Sequence, residues 1–302
     1  MARSQVGETV QRIRRQLASS FRYEVSTLTD ALTAVATDIS VTMSIFPMSV
    51  IEGAVLSVGG EDMRVLTVDR PNKTCTVIRA WLDSTLEVHA VNDEVAINPR
   101  FSSFTIFDAI RDEIESWGPD LFRVIGETVA VAATTAAFEL DSTFAGAYFI
   151  IEARRNITED ETVVWPQVAA RVQFAPSGAW SVAPGSGFYM RIIEPSWSAS
   201  SVFVMAAVPF DTTTMTATSD LIADIKLERS MLELVDLGVK MRLMYDAENN
   251  TSSRAAQDDP RRNEETPAGA AIGVARSIRQ LYTRRRTEEG LKLRGRYPIR
   301  VS

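Results

Sequence analysis

The sequence predicts an α+β protein that is antiparallel and β-rich, a small β-barrel plus a β-sandwich with flanking long α-helices and a C-terminal arm. Three observations carry this. Apolar residues follow a period of two across residues 51–99. Val-, Ile- and aromatic-rich runs recur across 121–210 with no helical pattern between them. Helical spacing marks the stretches 5–18, 104–117 and 220–245 around them.

From the N-terminus, Val6, Val10, Ile13 and Leu17 fall on one face of a short amphipathic helix with arginines on the other. A second helix is expected from a Thr27 or Thr29 cap to about Thr37, because Leu28, Leu32 and Val35 repeat at similar spacing. Residues 53–68 read as a hairpin turning at Gly59-Gly60, followed by a strand at 74–79 and a short strand at 93–99 ended by Pro99. Phe104, Phe107, Ile110, Ile114 and Trp117 give the next helix its apolar face, and Gly118-Pro119 stops it. Strands are expected within 121–133, 147–154, 162–174, 188–193 and 202–210, separated by Ser, Gly and Pro clusters. The strongest helical pattern runs over 220–245. Residues 246–266 have linker composition, and a last helix is expected over 268–289 before an extended end at 297–300. The domain reading is therefore N-terminal helices (1–50), a small barrel with an amphipathic helix (51–120), a sandwich (121–215), a long helix (216–246), a polar linker (247–267) and a basic arm (268–302).

Cys75 is the single cysteine, so no intramolecular disulfide is possible, and the first twenty residues lack the apolar core of an export signal. Folding in a cytoplasm is the expectation. No apolar run approaches the roughly 18 residues needed to span a bilayer, so no membrane anchor is expected. The net charge of −7 hides an asymmetry: residues 276–302 carry nine Arg or Lys against Glu288 and Glu289, which is +7, and the remainder sums to −14. A basic C-terminus on an acidic body calls for an anionic partner.

No catalytic constellation emerges, and no enzyme activity, metal or cofactor is expected. His89 is the only histidine, no Gly-x-Ser-x-Gly elbow accompanies it, and a turn or surface-packing role is expected for it. Cys75 lies mid-strand beside Val77, the setting of a buried, inert thiol. Phosphate-binding glycine loops are missing, and the acids of 159–161 and 258–259 sit in polar loops. Trp165, Trp180, Phe188, Tyr189 and Trp197 suit a sandwich core, or alternatively a platform for stacking sugars.

Arg79, Thr85, His89-Ala90 and Asp93 through Val95 match a pattern of phage virion proteins. There a valine-rich strand leads into Arg-Gly, a Gly-Thr turn, an Ala-His pair and a Gly-Asp-x-Val strand. This chain has Ala80, Ser84 and Asn92 where that pattern has glycine. The layout also resembles phage head–tail connector (neck adaptor) proteins, which form rings below the portal and extend a terminal arm onto it. The resemblance implies a structural virion subunit assembled in the host cytoplasm, a ring of about twelve copies, contacts with the portal and other neck or tail proteins, and passing contact with packaged DNA. It implies portal contact through Arg276, Arg279, Arg284, Arg285, Arg286, Lys292, Arg294, Arg296, Tyr297 and Arg300. Two other classes fit parts of the sequence: a nucleic-acid-binding protein using Arg284-Arg285-Arg286, and a tail or baseplate module whose sandwich binds a glycan or receptor.

Overall fold

The computed structural model of the chain describes residues 4–17, 24–130, 138–139, 144, 146–155, 158–159, 162–163, 172–176, 188–192, 201–255 and 270–299. The chain divides into two compact units, Met1–Ile114 with Asp211–Arg285, and Glu115–Phe210 with Arg286–Ser302. The class is α+β with antiparallel sheets.

The first unit begins with α1 (Val6–Leu17). Val6, Val10, Ile13 and Leu17 are all buried at the expected spacing. Arg14 departs from the polar face predicted for it: it is buried and donates to Ser103 Oγ. The strands β1 (Glu24–Thr27), β2 (Ser40–Thr42), β3 (Val55–Val58), β4 (Glu61–Asp69), β5 (Thr74–Ile78) and β6 (Glu94–Ile97) form one curled antiparallel sheet in the order β1-β6-β3-β4-β5-β2. The β3–β4 hairpin turns at Gly59-Gly60 as expected. Leu56, Val58, Met63, Val65, Cys75, Val77, Val95 and Ile97 line the concave core, each worth about 1.5–3 kcal/mol if fully buried. Leu66 alternates to the outside after the buried Val65, and a register shift then pairs Thr67 with Thr76.

The second N-terminal helix does not form. β1 occupies the start of that stretch, and Leu28 and Leu32 make isolated bridges to Met43 and His89. Both leucines are fully buried while Val35 is exposed. A spacing of four places two residues on one face of a strand as well as of a helix, so Leu28 and Leu32 could satisfy either period. Pairing with the sheet decided it.

α2 (Ser103–Glu115) follows, its Ile106, Ile110 and Ile114 buried. Its first turn is capped from the sheet: Asp62, wholly buried, accepts the N–H groups of Ser103 and Phe104 at 3.0 Å each and the Ser57 hydroxyl. The predicted helix at 220 starts late. Asp220 accepts from the N–H groups of Ile222 and Ala223, folding 220–225 into a turn, and Lys226 takes a left-handed φ of 67°. α3 then runs over Leu232–Ala255, preceded by a 3-10 turn at Arg229–Met231. Leu221, Ile225 and Leu227 are buried all the same, so the apolar pattern reported core contact and not helix. α3 also continues past Tyr245 through residues read as linker, since extending an established helix costs little per residue even in a polar stretch. The rest of that linker, 256–267, lies outside the described residues.

α4 (Ala270–Arg296) is longer than the predicted last helix. Glu113 of α2, almost fully buried, joins three helices: it accepts from Arg242 Nε of α3 at 2.7 Å and from Tyr282 Oη of α4 at 2.5 Å. It lies so close to Gly238 that a Cβ there would fall 2.2 Å from its carboxyl carbon. α1 is tied to α3 by Arg12, whose Nε and Nη2 bind Asp236 at 2.9 and 2.8 Å.

The second unit contains β7 (Arg123–Ala130), β8 (Phe138–Glu139), β9 (Phe149–Arg155), β10 (Thr158–Glu159), β11 (Thr162–Val163), β12 (Val172–Pro176), β13 (Phe188–Ile192) and β14 (Ser201–Val208). They pair antiparallel as β7-β14-β9, β12-β13-β8 and β10-β11. Val202, Val204, Ala206 and Val208 of the central β14 are buried, and the Phe203 ring lies against Gly126 where a side chain would clash. Trp117 meets Phe210 edge to face at 5.8 Å.

Replacing Asp62 with Ala leaves two helix-start N–H groups and a buried hydroxyl unsatisfied. Urea denaturation of Asp62→Ala should show a loss of about 2–4 kcal/mol, more than an ordinary cap because the site is closed to water.

Candidate functional site

Arg79 and His89 meet in one buried ionic cluster around Glu61. Glu61 opens β4 directly after the Gly59-Gly60 turn, and Arg79 follows the end of β5. Arg79 grips the carboxylate with both ends of its fork, Nε to Oε1 and Nη2 to Oε2, each at 2.7 Å. Its remaining donors reach the carbonyls of Thr33 and Asp38 at 3.1 Å and of Glu87 at 2.7 Å. Glu61 also accepts from the N–H groups of Ala80 at 2.9 Å and Glu87 at 3.1 Å, and His89 Nε2 lies 2.9 Å from Oε2. Both charged side chains are essentially unexposed.

Burial alone would raise the Glu61 carboxyl. The hydrogen bonds from Arg79, His89 and the two backbone N–H groups outweigh it and hold the value at about 2, against an ordinary 4.5. Glu87 goes the other way, pushed up chiefly by burial although Oε2 accepts the Gly60 N–H at 3.1 Å. His89 is thus a core residue and not the surface or turn residue expected, its backbone bridging Leu32 while its ring meets Glu61. Cys75 is buried as expected, and burial raises its thiol to about 12.

Glu61, Arg79 and His89 are committed to one another and to backbone, and they pin the segments 33–38 and 79–89 against the β3–β4 hairpin, while the buried Oε1 of Glu87 has no hydrogen-bond partner. Among the described residues no three or more His, Cys, Asp or Glu are grouped to hold a metal ion, and no helix is long and apolar enough to cross a membrane.

Two of the three positions at which this chain replaces a glycine of the virion pattern are left-handed. Ala80 and Asn92 adopt left-handed φ values of 50° and 71°. Ser84, the third position, is extended at φ −65° and uses its hydroxyl to accept from Asp62 N–H at 3.0 Å.

The basic residues assigned to portal contact lie almost entirely on α4. Arg276, Arg279 and Arg284 are exposed in its first-unit portion, and Arg285 pairs with Glu233 at 2.5 Å. In its second-unit portion Arg286 donates to the carbonyls of Ser116 and Trp117 and to Asp120, Arg294 also reaches Asp120 at 3.4 Å, and Lys292 pairs with Glu289 at 2.5 Å. Arg296 is exposed and Tyr297 half-buried, while Arg300 lies outside the described residues. The segment read as an arm is anchored: Ala275, Tyr282 and Leu293 are buried. Of the aromatics considered for sugar stacking, Trp165, Trp180 and Trp197 lie outside the described residues, and Phe188 and Tyr189 belong to β13.

Glu61 and Asp62 escaped sequence reasoning. A signal was present in two adjacent acids opening a strand whose alternate residues Met63 and Val65 are apolar, but strand alternation sends one of two neighbours outward, and here both turn in because the hairpin end is roofed by residues 79–89 and α2. No protein-family model, no curated protein and no solved structure matches the chain.

Two outcomes are expected. Glu61→Gln removes the charge that Arg79 needs and should cost about 3–5 kcal/mol at neutral pH. Because the folded-state value lies below the ordinary one, ionisation of Glu61 contributes about 3 kcal/mol that is complete above pH 4.5 and lost as pH falls toward 2; that part of the acid limb should vanish in the variant, read by urea titrations across pH. Ala80→Gly relieves a left-handed alanine and should raise stability by about 0.5–1 kcal/mol, read by thermal melting.

Proposed function

We propose that the chain is a non-enzymatic structural subunit of a bacteriophage virion, a head–tail connector of the adaptor kind that joins the portal to the tail. The observation that carries the reading is the backbone at Ala80 and Asn92. Where this sequence replaces two of the glycines in the virion pattern, the chain keeps the left-handed turns that glycine adopts most readily. Arg79 and His89, two further residues of the pattern, close on Glu61, and Val95 lies in the core of the same sheet. The match is thus one of architecture, in keeping with a protein that assembles and does not catalyse.

The portal contact falls to the last turns of α4. Lys292, Arg294 and Arg296 are exposed; the Arg294–Asp120 pair lies at the surface and is worth about 0–1 kcal/mol, so Arg294 exchanges readily for a carboxylate on a neighbour, while Lys292 keeps its own ammonium exposed above the buried Glu289. A ring of such subunits, about twelve by the adaptor resemblance, has an acidic balance outside residues 276–302 that lets packaged DNA pass without adhering.

The test uses the full-length protein and the purified portal ring of the same virus, mixed and co-sedimented. The parent should bind, and a variant with Lys292→Glu, Arg294→Glu and Arg296→Glu should lose at least about 100-fold in affinity, as expected for several charge-assisted contacts, with its melting temperature nearly unchanged. A parent that ignores the portal overturns the proposal. So does a triple variant that binds as well as the parent, or a basic end whose measurable partner is duplex DNA, recognised by a steep salt dependence.

A further inference from the structure

We propose that the 45–52 loop of one copy is the seat for the exposed face of α4 on a second copy, so that copies join head to tail. The proposal deepens the connector reading and rests on it for its biological setting, while the contact itself is argued from two surfaces of the first unit.

The first surface is a rigid apolar loop. Ile45, Met48 and Ile51 are 62%, 78% and 56% exposed, all within seven residues. An isolated exposed apolar side chain is ordinary, but a run of three on a braced loop is not. Arg70 spends its guanidinium on the carbonyls of Pro47, Met48 and Val50 and lies 5.8 Å from the Phe46 ring centre. Ser26 holds both the carbonyl and the N–H of Ile45, at 2.7 and 3.1 Å, and Asn98 holds the carbonyl of Ser49 at 3.2 Å. These bonds fix the loop's backbone before any partner arrives, which removes much of the ordering cost of binding. Ile51 continues into a shallow depression of about 610 Å³ that it lines with Val68 and Pro71, with Glu52 and Asp69 beside them. The depression is mixed, with Ile51, Val68 and Pro71 beside two carboxylates, and its one cation, Arg70, is already committed to the loop.

The second surface has the matching chemistry. Val274, Leu281 and Arg284 recur along α4 at i, i+7 and i+10, which places them on one stripe. All three are exposed, whereas Ala275 and Tyr282 on the adjoining stripe are buried. A helix offering two aliphatic anchors and a cation suits the exposed Ile45, Met48 and Ile51 and the mixed depression that Glu52 and Asp69 make acidic. Both surfaces are exposed in the same copy at the same time, so neither is filled by the other within the chain. Two different, complementary patches on one molecule make a heterologous contact, which propagates from copy to copy and closes into a ring when the rotation allows.

Sedimentation equilibrium on the full-length protein tests this, with melting curves as the check on folding. The parent should self-associate. The double variant Met48→Asp, Ile51→Asp and the variant Leu281→Asp should each lose association by about 30-fold or more, the scale of removing an anchoring side chain from an interface core. Mixed together, these two variants should form a 1:1 dimer that grows no further, because one keeps the helix stripe and the other keeps the loop. Glu52→Arg and Arg284→Glu should each weaken association of the parent, and the two together should restore it. A monomeric parent at its highest soluble concentration overturns the proposal. Variants that associate like the parent, or a mixture that stays monomeric, overturn it too. A parent that self-associates through this contact yet ignores the portal sinks the connector reading alone, and one that binds the portal without ever self-associating sinks this proposal alone.

Discussion

The Glu61 carboxylate is the point on which the first unit turns, because a buried charge must be answered in full or not buried at all. Its partners are recruited from far along the chain: the Arg79 guanidinium, the His89 ring and the N–H groups of Ala80 and Glu87. Arg79 in turn reaches the carbonyls of Thr33 and Asp38, so one ion pair sets the path of two irregular segments that the strand ladders do not reach. Hydrophobic packing of Leu56, Met63, Val65 and Val77 supplies most of the sheet's stability but tolerates alternative loop paths. The ion pair selects among them, since any other path leaves a charge or an N–H group unsatisfied in the interior.

The same device recurs at the helices. Asp62 caps α2 from a neighbouring strand, and Glu113 near the other end of α2 binds α3 and α4 through Arg242 and Tyr282. Each is a carboxylate buried among apolar neighbours, and each defines an angle or register that packing alone leaves loose. Gly238 shows how tightly the arrangement is drawn, since only a residue without a Cβ fits against Glu113.

A unit braced in this way can present surface groups without reorganising. The 45–51 loop keeps large apolar side chains in solvent, and α4 keeps aliphatic and cationic residues on its outer stripe. The loop is the clearer case, because Arg70 and Asn98 bond it internally and leave its side chains outward. In the proposed connector, this division places the stabilising electrostatics inside the subunit and leaves the outer charges for neighbours.

The sequence by itself determined the class, the β3–β4 hairpin at Gly59-Gly60, β5, β6, α1, α2 and the burial of Cys75, because each follows from a local period or turn residue. It also located the basic C-terminal stretch, which is a matter of composition. Only the tertiary structure decided that Leu28 and Leu32 make single bridges to Met43 and His89, that the chain turns at Asp220 and breaks at Lys226 before α3, and that α4 is anchored through Tyr282. It decided as well that His89 belongs to the core. Local spacing records which residues are apolar, and a residue that must face the interior looks the same whether a helix, a strand or a turn carries it there. Partners separated by many residues, such as Glu61 with Arg79 and Glu113 with Tyr282, are chosen only when the chain closes on itself and each buried charge must find its complement.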